Sequence, residues 1–361
     1  MFYGLSLWLE LQVTSDEFRV QNDSLPAAGG RRSPADYLAT AANLFMLVLT
    51  LIALFGFLAP AYARPPAFAV GGELPNPVDI RFDSFVALRG YSVDTAEVRP
   101  GEPIGIELYW EVLGAPPGDY LLFVHLTDDE TGALAAQRDT HPGLGNFPSS
   151  QWEPGDRFVE RLSIYLPETA YAPSAGELTI GLYAPEGYRL GITDGATGEG
   201  LGDAYSIGRV AIDPHAPPGM ESLPNTGDYN YEDQIRLLGY LYEQRVLAPG
   251  EPLEMTLFWE ALWPGPGDYE VELTVLDTGN NVLFTQTARP SSGTRPTTDW
   301  QLDEVIADTY RLSLDPALAG QDLIVRVVVR EAATGRALNR IGDDGRWIDD
   351  ELFLSAVSVG E

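Results

Sequence analysis

Between residues 104 and 112 apolar and polar side chains alternate. Ile104, Ile106, Leu108, Trp110 and Val112 fall on one side of an extended chain, with Gly105, Glu107, Tyr109 and Glu111 on the other. The pattern recurs further on, with Leu253, Met255, Leu257, Trp259 and Ala261 set against Glu254, Thr256, Phe258 and Glu260. A period of two marks strands with one buried face, and it places Trp110 and Trp259 in the core row. Next strands are expected at 120–127 and 269–276, reached as meander steps through the turn-forming GAPPGD and PGPGD. Further strands read at 158–166, 178–184 and 205–212, with counterparts at 305–314, 323–330 and 352–359. Roughly seven short strands per copy without helical periodicity predict antiparallel β-sandwiches, Ig-like or jelly-roll-like.

The two alternating segments belong to a tandem repeat. From Gly90 to Tyr120 and from Gly239 to Tyr269, 14 of 31 aligned positions are identical, Pro100/Pro249, Trp110/Trp259 and Asp119/Asp268 among them. The first sandwich is assigned to 78–213, a proline-rich linker to 214–227 and the second sandwich to 228–361. A further tryptophan pair, Trp152 and Trp300, is expected near a sheet edge.

A different pattern precedes the repeat. Residues 37–63 carry no charge, and 44–63 supply mostly apolar positions, about the 20 that cross a bilayer as a helix. We assign 1–40 as an N-terminal polar or interfacial segment, 41–63 as the transmembrane helix, with Ser33 and Pro34 as cap and first turn, and 64–77 as a proline-rich spacer holding the next domain off the membrane. Arg31 and Arg32 before the helix favour an inside N-terminus, which puts both sandwiches outside the cytoplasm of a single-pass protein. Two alternatives stay open: a signal peptide cut after Ala61-Tyr62-Ala63, and a buried helix of a soluble protein.

Composition narrows the chemistry. The chain has no cysteine and no lysine, and its net charge is -31. Thiolate metal sites, disulfides, Schiff-base chemistry and nucleic-acid partners are therefore not expected. The three histidines, His125, His141 and His215, are scattered, and neither a phosphate-binding loop nor a nucleophile elbow is present. Carboxylate pairs for glycoside hydrolysis depend on separation in space, and nothing marks a pair here. The acids of DDETG (128–132) read as a hairpin turn closed by Gly132. The chain is expected to be no enzyme, with no catalytic residues, no cofactor and no metal.

One difference between the copies suggests a contact surface. Where the first copy places Leu121, Phe123 and His125 on the outward row, the second places Glu270, Glu272 and Thr274. With Tyr109 on the neighbouring strand, Phe123 and His125 form the candidate ligand-binding patch. An apolar outer face is usually covered, here by the other sandwich, by a membrane-protein partner or by a flat sugar.

The order LRGYSVD, RPGEPIGIELYWEVL, GDYLLFVHLTDDETG, FPSSQWEPGDRF and GELTIGLYAPEGYRL resembles the C-terminal extracytoplasmic β-sandwich repeats of bacterial, Chloroflexi-like membrane glycosyltransferases of the dolichyl-phosphate-mannose-dependent type. The likeness runs from about residue 45 onward, with the span exit APAYARPP. The multi-span catalytic part of that family has no counterpart here, and the second copy departs from it with WQLDEV in place of WEPGDR. The resemblance implies fold and location, and an accessory or interaction role beside envelope glycan or a membrane glycosyltransferase. A carbohydrate-binding protein and the C-terminal fragment of a transferase are the alternatives.

Overall fold

The computed structural model describes residues 34–58, 62–216, 220, 222–342 and 344–361. It divides into two units, Met1–Ala63 and Arg64–Glu361. In the first, helix α1 spans Pro34–Leu51 and continues as a wider π-type helix over Ile52–Leu58. Proline suits the first turn, where its missing N–H has no helical partner to lose. Residues Thr40–Leu58 have a mean hydropathy of 2.4 and are long and apolar enough to cross a membrane. The hydroxyl of Thr50 donates to Met46 O at 2.8 Å, so this polar group is satisfied inside the apolar helix. The helix thus starts ahead of residue 41. Residues 1–13, Arg31, Arg32 and Ala61 of the cleavage motif lie outside the described residues.

The second unit is mainly β, two tandem sandwiches. The first comprises β1 (Ile80–Phe82), β2 (Val86–Val93), β3 (Glu97–Val98), β4 (Pro103–Val112), β5 (Leu121–Asp128), β6 (Leu134–Thr140), β7 (Arg157–Tyr165), β8 (Ser174–Tyr183), β9 (Ile192–Asp194), β10 (Gly200–Gly202) and β11 (Tyr205–Ile212). Its sheets run β10-β9-β1-β2-β4-β7 and β3-β11-β8-β5-β6. The second comprises β12 (Tyr229–Tyr231), β13 (Ile235–Tyr242), β14 (Val246–Leu247), β15 (Leu253–Ala261), β16 (Tyr269–Asp277), β17 (Val282–Ala288), β18 (Ile306–Leu312), β19 (Asp322–Glu331), β20 (Arg340–Ile341), β21 (Leu352–Phe353) and β22 (Val357–Val359). Its sheets run β18-β15-β13-β12-β20 and β14-β22-β19-β16-β17, with β21 on β19. Apart from the two-residue parallel pairs β3–β11 and β14–β22, the strand pairs are antiparallel.

The alternating rows do face inward. Trp110 is 2% exposed and Trp259 0%, each inside its own core cluster. The expected meander step fails, however: β4 and β5 lie in different sheets, as do β15 and β16. GAPPGD and PGPGD carry the chain across the core rather than around a hairpin. Alternation tells which side of a strand is dry, and two strands facing each other across a core share that signature with two strands side by side. Trp152 and Trp300 stand just ahead of the edge strands β7 and β18, Trp152 5.2 Å from Phe158 of β7, and both are buried, with their indole N–H groups donating to Phe147 O (3.0 Å) and Arg295 O (3.3 Å). The single strand expected at 352–359 is broken into β21 and β22.

The spacer and the linker also differ from expectation. Residues 64–77 are laid on the first sandwich: Val159 N of the edge strand β7 donates to Pro66 O (2.8 Å), Tyr91 N to Pro75 O (3.1 Å), and the Asn76 side chain to Tyr91 O (3.1 Å). The linker repeats this strap, with the Asn225 side chain donating to Tyr240 O (2.9 Å) and Gly227 N to Leu238 O (2.9 Å). The strap explains one identity of the repeat. A Cβ on Gly90 would come within 2.7 Å of Pro75 O, and one on Gly239 within 2.5 Å of Pro224 O. Both glycines sit where the strand register shifts, so strap and bulge are one device.

Candidate functional site

The three residues expected to form a patch do not converge. Tyr109 lies on β4, in one sheet of the first sandwich, and Phe123 and His125 lie on β5, in the other. Tyr109 is occupied: Phe68 of the strap packs edge-on against its ring at 5.6 Å, and its hydroxyl donates to Glu107 Oε2 at 2.8 Å, which raises the phenol pKa.

Phe123 is 1% exposed. It lies against Gly181 of β8, where a Cβ would meet its ring at 2.2 Å, and the Arg189 guanidinium covers it at 4.4 Å from the ring centre. The His125 ring stands 4.6 Å away. Its Nε2 is 3.5 Å from Asp139, which also accepts from the Tyr183 hydroxyl at 3.0 Å. Burial holds the His125 imidazole below its ordinary range, opposed by Asp139 and reinforced by Arg189. The cover over this drier face is therefore Arg189 of the same sandwich. In the second copy the Phe123 position is Glu272, held by a two-pronged ion pair with Arg330 at 2.8 and 2.9 Å. Gly181, a glycine mid-strand in GELTIGLY, was the available sign that something bulky lies over that point.

A more organised constellation lies between the sandwiches. Arg245 is buried with its NH2 group 2.7 Å from Asp128 Oδ2 and its NH1 2.9 Å from Glu130 Oε2. Its guanidinium sits 4.3 Å over the Tyr171 ring, and Tyr171 stacks on Tyr242 at 6.1 Å. Asp128 also accepts from Ser174 Oγ (2.5 Å) and from the N–H groups of Glu130 and Thr131 (both 3.0 Å). Burial pushes its carboxyl up, but the hydrogen bonds from Ser174, Arg245 and Thr131 outweigh that and hold its pKa below the usual range. The 128–132 hairpin turn forms as expected, Gly132 N donating to Asp128 O; its role as an anchor for the second sandwich was not legible.

Around this clamp, Tyr240 Oη donates to Thr169 O (2.5 Å), Ala172 N to Asn225 Oδ1 (2.7 Å), and Ser358 Oγ to Thr131 O (2.8 Å). Ser355, in the break between β21 and β22, meets Tyr240 Oη at 2.8 Å. Beside these contacts lies a cleft of about 210 Å³, mostly apolar, with Leu134 and Phe353 partly exposed at its lining.

Each sandwich also buries one carboxylate on an otherwise apolar row. Glu160, 1% exposed, follows Phe158 and precedes Leu162 and Ile164 on β7, and Asp308 sits among Ile306, Tyr310 and Leu312 on β18. Glu160 Oε2 accepts from Gly143 N at 2.6 Å and Asp308 Oδ1 from Ser291 N at 2.8 Å. The donors lie in left-handed turns (Gly143 φ 66°, Leu144 φ 52°; Ser291 φ 54°, Ser292 φ 52°) whose N–H groups converge on an anion. The sequence signals were PGLG and PSSG at matching places, and an acid on each core row.

Burial pushes the Glu160 carboxyl up to about 6, against an ordinary 4.5. Between those values the folded chain holds a proton that the unfolded chain has released, so this group's stabilisation is full below pH 4.5 and is lost as pH rises through 6. Relative to the native chain, Glu160→Gln should therefore gain about 1.5 kcal/mol of stability from pH 4.5 to 6.5. Urea midpoints across that range check this, and parallel pH profiles for the two proteins would refute it. No group of three or more His, Asp or Glu that could hold a metal occurs among the described residues.

No family model matches the chain, and no curated protein does. Solved structures similar over much of its length include trypsin-activated α-2-macroglobulin from Escherichia coli, at 10% identity over 81% of this chain and 17% of that one, with a TM-score of 0.21. A DUF4785 family protein from Legionella pneumophila matches at 7% identity over 74% and 58%, TM-score 0.21. The D0-D1 domain of intimin matches at 10% identity over 76% and 99%, TM-score 0.19. The chain thus spans about 17% of the first of these proteins. Likenesses at such TM-scores assign neither ligand nor activity to it.

Proposed function

We propose that the chain is a membrane-anchored accessory module whose two sandwiches lie outside the cytoplasm and serve an interaction role beside cell-envelope glycan or a membrane glycosyltransferase. The observation that carries this reading is the clamp of Arg245 on Asp128 and Glu130, which ties the second sandwich to the first. The polar groups placed as a catalytic centre would need them are committed to structure: Asp128 to the clamp, Glu160 and Asp308 to turns, His125 to Asp139. The apolar helix supports anchoring, and the arginine pair before it supports the orientation. The glycan setting is supported by the sequence resemblance.

Protease added to intact cells should remove both sandwiches while the membrane fraction keeps the N-terminal segment. Sandwiches that survive shaving but are digested after lysis would overturn the orientation. A soluble form beginning at Arg64 would replace the anchored module by a secreted one.

A further inference from the structure

The sheets end on strands of unequal character. Edge strands β3, β10, β14 and β20 are two or three residues long. Of the longer edges, β7 carries Arg157, Glu160 and Arg161 and is met by Pro66 O of the strap, and β18 carries Asp308 and Arg311. In the first sandwich β6 carries Arg138, which reaches across to Ser163 O of β7 at 2.8 Å, and Asp139, which holds Tyr183. Charges and covers of this kind keep an edge from pairing with another chain.

Its counterpart β17, VLFTQTA, has none of them. No charged residue occurs between Asp277 and Arg289, and β17 pairs only with β16 among the described strands, so its outer N–H and C=O groups face outward. Val282 is 60% exposed and Leu283 36%.

We propose that β17 is a self-association edge: two copies of the chain pair antiparallel through Val282–Ala288, with Thr285 opposite its own copy. Only this register overlaps all seven residues. It sets Val282 against Ala288, Leu283 against Thr287 and Phe284 against Gln286, with no charge on either side. The net charge of -31 makes most other approaches of two copies repulsive, and an uncharged strand is best matched by an uncharged strand. The contact is isologous, so it closes at the dimer. It is modest in area, and the general repulsion makes it strengthen as salt is added.

The chain has no cysteine, so one introduced thiol reports the register. Opposed residues of an antiparallel pair stand about 4.5–5.5 Å apart between Cα atoms, within disulfide reach. Two residues at position 287 would stand roughly 13 Å apart in that register. In the full-length chain in detergent, oxidation should give at least about tenfold more disulfide-linked dimer with Thr285→Cys than with Thr287→Cys, and more at 500 than at 50 mM salt. Thr285→Lys should leave a monomer by light scattering with an unchanged circular dichroism melt. Equal cross-linking at the two positions, none at either, or a dimer that persists in Thr285→Lys overturns the proposal; the last would place association on the helix or another face.

Discussion

Trp110→Ala and Trp259→Ala should each destabilise the chain by about 3–5 kcal/mol, the cost of deleting a large aromatic from a packed core. Trp110 packs edge-on against Phe82 at 5.1 Å and Trp259 lies 6.0 Å from Tyr231, each on the central strand row of its sandwich. Since β4 sits between β2 and β7, and β15 between β13 and β18, neither site can collapse by shifting an edge. Trp259 offers a finer test because its indole N–H is buried without a hydrogen-bond partner. Trp259→Phe relieves that group while keeping most of the ring, so it should cost less than half as much as the alanine variant. Urea unfolding followed by far-ultraviolet circular dichroism measures both. A loss below about 1 kcal/mol for either alanine variant would contradict the core assignment.

Arg245→Ala should cost about 3 kcal/mol and split a single thermal transition into two. Removing the guanidinium leaves the Asp128 carboxylate, 4% exposed as a residue, without its counter-ion. Breaking one side of a buried pair costs about 3–5 kcal/mol. The lower figure is expected, because Ser174 and two backbone N–H groups still bind the carboxylate. The loss falls at the junction, so the sandwiches should then melt independently. Asp128→Asn combined with Arg245→Met, which removes both charges, should recover part of the loss. Calorimetry that finds one cooperative transition in Arg245→Ala, shifted by less than about 2 °C, would show that the Arg245 clamp is not what couples the sandwiches.

The repeat, the sandwich class, the buried tryptophans and the 128–132 turn were legible because each is written in adjacent residues. Sheet membership was not, since β4 and β5 carry the same alternation whether they lie side by side or face to face. Neither was the strap: the shared LPN at 74–76 and 223–225 lies inside segments rich in proline, which read as spacer and linker, and its partner Gly90 or Gly239 is 14 residues on. The candidate patch misplaced Tyr109 for the sheet-membership reason, and it missed Arg189 because a residue 66 positions from Phe123 is brought over it only by the fold. Arg245 was hidden differently. It occupies the place of Ala96 in the first copy, and its meaning depends on Asp128 in another domain.

The junction between the sandwiches joins unlike surfaces of one repeating unit: the 128–131 turn and the 167–172 loop of the first, the strap and 240–245 of the second. Contacts of that head-to-tail kind do not terminate themselves. The second sandwich presents its own version of the turn, where Asp277 stands in the place of Asp128 and caps Gly279 N and Asn281 N. The first has its own strap asparagine, Asn76, in the place of Asn225. A unit bearing arginine at the Arg245 position would meet the counterpart of Asp128 on that turn but not of Glu130, whose place Gly279 takes. The number of sandwiches in such a stalk is then a matter of how often the unit is encoded, and its reach grows in equal steps with each copy added.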